Sequence, residues 1–197
     1  MNYRSFERVF KQFGIVSVSQ VRATKLVFDK NNFGRWEKQD LLVKLKNGYY
    51  AFADIAGSKG FAYYAAGKIY KPSYISLRTA LAFHGIIPET ANDITSVSSL
   101  KTSTYKNNLG TFSYKKIKPS LMFGYNAIEK NGFTFFMASP EKAILDLLYL
   151  YPSCNLKKEI QNLRLDWKKL TAFAKKFKKR VILERVDLLK KTFLEGI

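Results

Sequence analysis

Two Asn-Gly dipeptides do most to limit what this chain can fold into. Asn47-Gly48 separates the β-prone runs 41–45 and 49–52, and Asn131-Gly132 separates residues 121–128 from 133–138. Asn-Gly is the strongest short-range hairpin signal, because both residues of the favoured two-residue loop take positive φ. One hairpin is therefore expected in the first quarter of the chain and another in its middle. Residues 94–98 and 111–117 also read as strands, so the middle should carry an antiparallel sheet.

Helical spacing precedes the first hairpin. SFERVFKQF (5–13) puts Phe6, Val9, Phe10 and Phe13 on one stripe that Gly14 closes. SVSQVRATK (17–25) opens on serines able to cap a second short helix, with Val18 and Val21 facing inward. A third helix fits 30–39: Phe33 and Trp36 point inward, and Asn31, Arg35 and Lys38 line the other side at i, i+4, i+7. Three helices followed by a β-hairpin is the order of a winged helix-turn-helix, in which the third helix enters the major groove of DNA and the hairpin lies along an adjacent groove or backbone.

The composition fits a nucleic-acid partner without selecting it. The chain has 197 residues and carries 34 Lys+Arg against 15 Asp+Glu, a balance that attracts nucleic acid, anionic membrane or acidic protein. With 47% apolar and 15% aromatic residues there is ample material for a core. No long apolar run suggests a membrane span or signal peptide, which points to a cytoplasmic protein. One cysteine (Cys154) and one histidine (His84) allow neither an internal disulfide nor an ordinary zinc site, so neither metal nor cofactor is expected.

On the third helix, Arg35 can fork to O6 and N7 of guanine, and Asn31 or Asn32 can pair with N6 and N7 of adenine. Lys30, Lys38 and the hairpin lysines Lys44 and Lys46 would meet phosphates, supplying salt-sensitive affinity without sequence information. Exposed Lys and Arg are ordinary surface residues, and winged helices also serve as protein-interaction modules, so that alternative stands beside DNA binding.

YKPSYISLRTALAFHGIIPE (70–89) contains a helix over 76–83 that ends at His84-Gly85. His84, with no Ser, Cys or second carboxylate near it in sequence, reads as a packed residue rather than a base. ASPEKAILDLLYLYP (138–152) reads as a helix capped by Ser139, with Pro140 and Glu141 in its first turn and Lys142 and Asp146 as an i, i+4 surface pair worth a few tenths of a kcal/mol. Asp54, Glu89, Asp93, Glu129, Glu141 and Asp146 lack the converging spacing of a metal-dependent nuclease or nucleic-acid-modifying enzyme, and Gly57-Ser58-Lys59-Gly60 lacks that of a phosphate loop. The chain is read as no enzyme. In the tail, Lys168, Lys169, Lys175, Lys176, Lys178, Lys179 and Arg180 interleave with Trp167, Leu170, Phe173, Ala174 and Phe177 at helical spacing. This gives an amphipathic helix whose basic face either meets solvent or forms a second nucleic-acid surface.

PSYISLRTALAFHGIIPE, ITSVSS, LGTFSYKKIKPSLMFGY and ASPEKAILDLLYLY, in that order after a short winged helix, resemble the AbiEi antitoxins of bacterial abortive-infection toxin–antitoxin operons, a phage-defence system. The resemblance runs to about residue 151. It implies an N-terminal winged helix that binds operator repeats in double-stranded DNA and represses its own operon, and a following domain needed for antitoxin activity. It also implies a neighbouring nucleotidyltransferase-like toxin, counteracted without a stable complex. Carried over by position, Asn31, Arg35, Lys38 and the hairpin lysines are the DNA contacts. The tail after Tyr151 matches no motif of the family. The expected organisation is thus an α+β protein: a winged helix over 1–52, then a mixed α/β antitoxin domain over 53–197 with antiparallel strands and a basic helical tail from about 152.

Overall fold

A computed structural model of the chain describes residues 1–58, 60–88, 93–154, 156, 160 and 164–195. Lys59 and Glu89, weighed above, lie outside them. The fold is mixed α+β, with one antiparallel sheet of three strands and one mixed sheet of six.

The first 52 residues run α1 (Tyr3–Phe10), β1 (Ile15–Ser17), α2 (Val18–Ala23), α3 (Asn31–Lys38), β2 (Leu42–Lys46) and β3 (Tyr49–Phe52). Local chemistry starts each helix. Asn2 accepts from the Ser5 amide ahead of α1, and Ser17 and Gln20 form a reciprocal capping box at α2. The Asp29 carboxylate accepts from the Asn31 amide at the start of α3, where the helix dipole favours negative charge. Strand β1, too short to show an alternation in sequence, pairs with β3 and completes the sheet order β1-β3-β2.

Phe6 organises the space beneath the helices. Its ring lies 4.8 Å from Trp36, 4.9 Å from Phe10 and 5.7 Å from each of Phe33 and Phe52, and Phe33 stacks on Tyr50 at 4.5 Å. Such pairs add about 0.5–1.5 kcal/mol each beyond the area they bury. Phe13, expected on the inward stripe, lies in a 3₁₀ turn past the end of α1 and is 46% exposed. The alternation of the strands divides the sheet between two cores. Leu42, Tyr50 and Phe52 face the aromatic cluster, whereas Ile15, Leu45 and Ala51 belong to the larger core formed with the rest of the chain. The larger core thus draws on residues from both sides of residue 52, while the buried members of the aromatic cluster all fall within residues 6–52.

Beyond it follow α4 (Ala53–Ala56), α5 (Phe61–Ile69), β4 (Ser73–Ile75), α6 (Leu77–Phe83), β5 (Asp93–Ser98), β6 (Ser103–Asn107), β7 (Gly110–Lys116), β8 (Tyr125–Lys130), β9 (Phe133–Ala138), α7 (Pro140–Leu150), α8 (Trp167–Lys176) and α9 (Arg180–Lys190). The six strands lie in the order β6-β7-β5-β4-β9-β8. An all-antiparallel sheet does not form: β4 runs parallel to β9, and β5 parallel to β7. The short β4, invisible as a periodic run, sits between β5 and β9 and joins two hairpins into one mixed sheet. The strand expected from residue 121 begins only at Tyr125, because Pro119–Leu121 form a 3₁₀ turn.

The two Asn-Gly turns differ. Asn131 and Gly132 have φ of 53° and 78°, and Lys130 pairs directly with Phe133, a two-residue loop with both positions left-handed. In the first hairpin only Gly48 takes positive φ (76°), and a register shift between Lys44 and Lys46 absorbs the difference as a bulge. The tip is held from outside, since the Gly48 carbonyl accepts from the Val18 amide at 2.9 Å.

Candidate nucleic-acid interface

Burying Phe33 and Trp36 fixes the rotation of α3 and leaves Asn31, Gly34, Arg35 and Lys38 exposed on its far side. Val18 and Arg22 of α2 close the other wall of an open groove of about 650 Å³, with Lys30 at one end. Its seven lining residues carry four cationic side chains, Arg22, Lys30, Arg35 and Lys38, one amide and no carboxylate. A methyl group added at Gly34 would meet nothing within 4 Å, so the floor there is open to an incoming surface. Glycine costs a helix interior about 1 kcal/mol relative to alanine, and here it lets the backbone be approached closely.

Asn32 leaves this set. Its side chain is buried and its amide donates to the Met1 carbonyl at 3.2 Å, so it anchors α3 rather than reading a base. The helical phase that places Phe33 and Trp36 underneath carries Asn32 with them. Arg22 and Gly34 are additions that the sequence reading missed. Arg22 was legible one turn beyond Val18 on α2, but that α2 and α3 line one groove is a tertiary fact.

The hairpin lysines occupy a neighbouring groove of about 440 Å³. Lys44 and Lys46 line it with Asn47, with Lys106, Asn107 and Asn108 of the β6–β7 hairpin, and with Glu37 and Asp40 at the end of α3. Lys44 is exposed. Lys46 points across to aromatic rings, its ammonium 4.3 Å from the Tyr49 centroid and 5.3 Å from that of Tyr105. The structure thus brings Lys30, Asn31, Arg35 and Lys38 together with Arg22, and sets Lys44 and Lys46 beside two carboxylates.

The tail breaks at Lys178 (φ 50°) into α8 and α9, packed on α7 and on each other. Trp167 and Phe173 are half-buried, and Leu170, Ala174 and Phe177 are buried. Of the tail lysines, Lys168, Lys175, Lys176, Lys178 and Lys179 are exposed and Lys169 is half-buried. Lys169 pairs with Glu141 at 2.8 Å, Lys176 lies 4.6 Å over the Phe123 ring, and Lys179 4.6 Å over Tyr149. Part of the basic face is thus engaged in holding α8 and α9 in place.

The expected surface pair on α7 is instead a buried polar centre. Lys142 and Asp146 are completely inaccessible and bonded to each other. The Asp146 carboxylate also accepts from Tyr74 Oη (2.9 Å) and Ser76 Oγ (2.8 Å), and the Lys142 ammonium lies 5.0 Å from the rings of both Phe123 and Phe177. Burial pushes the Asp146 carboxyl up, with Lys142 the strongest counterweight, and pushes the Lys142 ammonium down against the pull of Asp146. Glu141 is buried as well. Burial would raise it, but Lys169, Ser139 and its backbone partners hold its carboxyl below the usual range. The surface assignment fails because α6, α8, α9 and β9 enclose α7 on several sides. His84 donates from Nε2 to the Ala138 carbonyl at 2.9 Å. Cys154 is a half-buried free thiol. Among the described residues no three His, Cys, Asp or Glu side chains are placed to hold a metal ion, and no helix is long and apolar enough to cross a membrane.

Compared with known proteins, the chain matches no family model and no curated protein.

Proposed function

We propose that residues 1–52 are a winged helix-turn-helix that places α3 in the major groove of duplex DNA, and that the chain is an operator-binding repressor and antitoxin of the kind its AbiEi-like motifs imply. The observation that carries the reading is the α2–α3 groove, which gathers four cations, an amide and an open glycine floor with no carboxylate. The element order supports it: helix, strand, helix, helix and a two-stranded hairpin. In this reading Arg35 and Asn31 address base edges while Arg22, Lys30 and Lys38 bind phosphates. Catalysis is not assigned, since the buried carboxylates Glu141 and Asp146 are already paired with lysines. The toxin it opposes is nucleotidyltransferase-like, and neutralisation belongs to the region after residue 52.

The test is anisotropy titration with the duplex upstream of the chain's own reading frame and a scrambled duplex. Arg35→Ala is expected to lose about 1–3 kcal/mol of preference between them while keeping general affinity. Equal losses on both duplexes would remove base reading by Arg35. For the antitoxin half, co-expression should relieve the toxicity of a nucleotidyltransferase-like product of the adjacent frame, and unrelieved growth arrest would overturn it.

A further inference from the structure

From residue 94 to residue 128 the chain contains five lysines, Lys101, Lys106, Lys115, Lys116 and Lys118, and no Asp or Glu. The stretch includes the β6–β7 hairpin, whose strand β6 is one edge of the six-stranded sheet. Cross-strand register assigns its faces. Tyr105 stands opposite Phe112 and Ser103 opposite Tyr114, with Phe112 and Tyr114 buried; Thr104 stands opposite Ser113 and Lys106 opposite Thr111 on the other face. Lys115 shares that second face by alternation. It is built of hydroxyls and ammonium groups, with Thr104 and Lys106 exposed. At the far end Lys101, Lys116 and Lys118 are exposed, and the Lys116 amide donates to Thr102 Oγ1. None of the five lysines forms an ion pair with a described carboxylate.

This hairpin is docked onto the one beside α3. Asn107 Nδ2 donates to the Leu45 carbonyl at 2.9 Å, the Lys46 ammonium lies over Tyr105, and Lys106 and Asn108 share the groove of Lys44. Glu37 and Asp40 border that shared end, and Asp93 is in register with Thr111, so the cationic excess grows away from α3. The five residues of β6 extend the basic surface by roughly 15 Å, the axial length of about four to five base pairs.

We propose that the β6–β7 hairpin is a second arm that follows the phosphate backbone of the same duplex beyond the segment contacted by α3. This rests on reading the α2–α3 groove as a duplex-binding surface. Lysines supply phosphate charge neutralisation and the interleaved Ser and Thr hydroxyls donate to phosphate oxygens, so the arm adds affinity and footprint but no base preference.

The experiment measures binding by the full chain across a salt series, on a short duplex covering only the α3 site and on one extended on both sides. The triple variant Lys101→Gln, Lys106→Gln, Lys116→Gln is expected to lose the advantage of the long duplex. Its slope of log affinity against log salt should become shallower by about 2.7, from about 0.9 per phosphate contact, with sequence preference unchanged. The matching Lys→Arg triple should retain the original slope. An unchanged slope in the Gln triple, while Arg35→Ala still erases preference, overturns the second arm and leaves the α3 reading standing. Equal losses on short and long duplexes also overturn it. No duplex binding by the unaltered chain at low salt overturns both.

Discussion

Helices α3 and α7 carry polar pairs at the same spacing and meet opposite surroundings. Asn31 and Arg35, four residues apart, stand in an open groove, whereas Lys142 and Asp146, also four apart, are completely enclosed. The difference lies in what covers each helix. α3 is held by one stripe, Phe33 and Trp36, so most of its circumference stays wet. α7 is buried over the continuous run Glu141, Lys142, Ala143, Ile144, Leu145, Asp146, Leu147 and Leu148. Charge on α3 is thus free to meet a partner, whereas charge on α7 is committed to the fold. A buried pair is worth little against an apolar replacement, yet breaking it leaves one charge stranded.

The largest effect is expected at Asp146. Asp146→Ala strands the Lys142 ammonium and leaves Tyr74 and Ser76 without their acceptor, and about 3–5 kcal/mol of stability should be lost in denaturant titration. The double variant Lys142→Met, Asp146→Leu should recover the part of that loss owed to the stranded ammonium but not the part owed to the Tyr74 and Ser76 hydroxyls; a double as unstable as the single would show that the pair is not the unit of stability.

Acid sharpens the contrast further. Glu141 has a lowered folded pKa, so its contribution is present above the unfolded carboxyl value of about 4.3 and is lost as pH falls through the lower folded value. Asp146 has the opposite sign: its raised pKa favours the protonated folded form, and it adds nothing to acid loss. Glu141→Gln should therefore flatten the fall in thermal midpoint below about pH 4, while an equally steep fall would place the acid sensitivity elsewhere.

The smallest effect belongs to α3. Arg35→Ala should change folding stability by no more than about 0.5 kcal/mol, because its side chain is exposed and no shared core depends on it. A midpoint shift beyond that would mean that Arg35 supports the unit and that its binding phenotype is indirect.

Much of the N-terminal unit was legible because its determinants are local. Ser17 and Gln20 cap α2 within four residues, Phe33 and Trp36 set the phase of α3, and Asn-Gly marks the β2–β3 and β8–β9 hairpins. The same phase could have removed Asn32 from the binding face. The groove was only half legible: Arg35 and Lys38 follow from helical spacing, but Arg22 joins them only because the fold sets α2 and α3 on opposite walls of one groove. Where Lys46 points depends on Tyr105, distant in sequence and brought alongside by the sheet.

Sequence alone determined the short helices α1, α2, α3, α6 and α7, the two Asn-Gly hairpins and the predominance of cationic side chains, since these depend on neighbours within a few residues and on composition. Tertiary structure decided the mixed strand order, the burial of Lys142 and Asp146, and which cations share a groove. The physical reason is that solvent access and electrostatic environment are properties of the assembled surface. An i, i+4 spacing fixes the distance between two side chains, but not the medium that surrounds them.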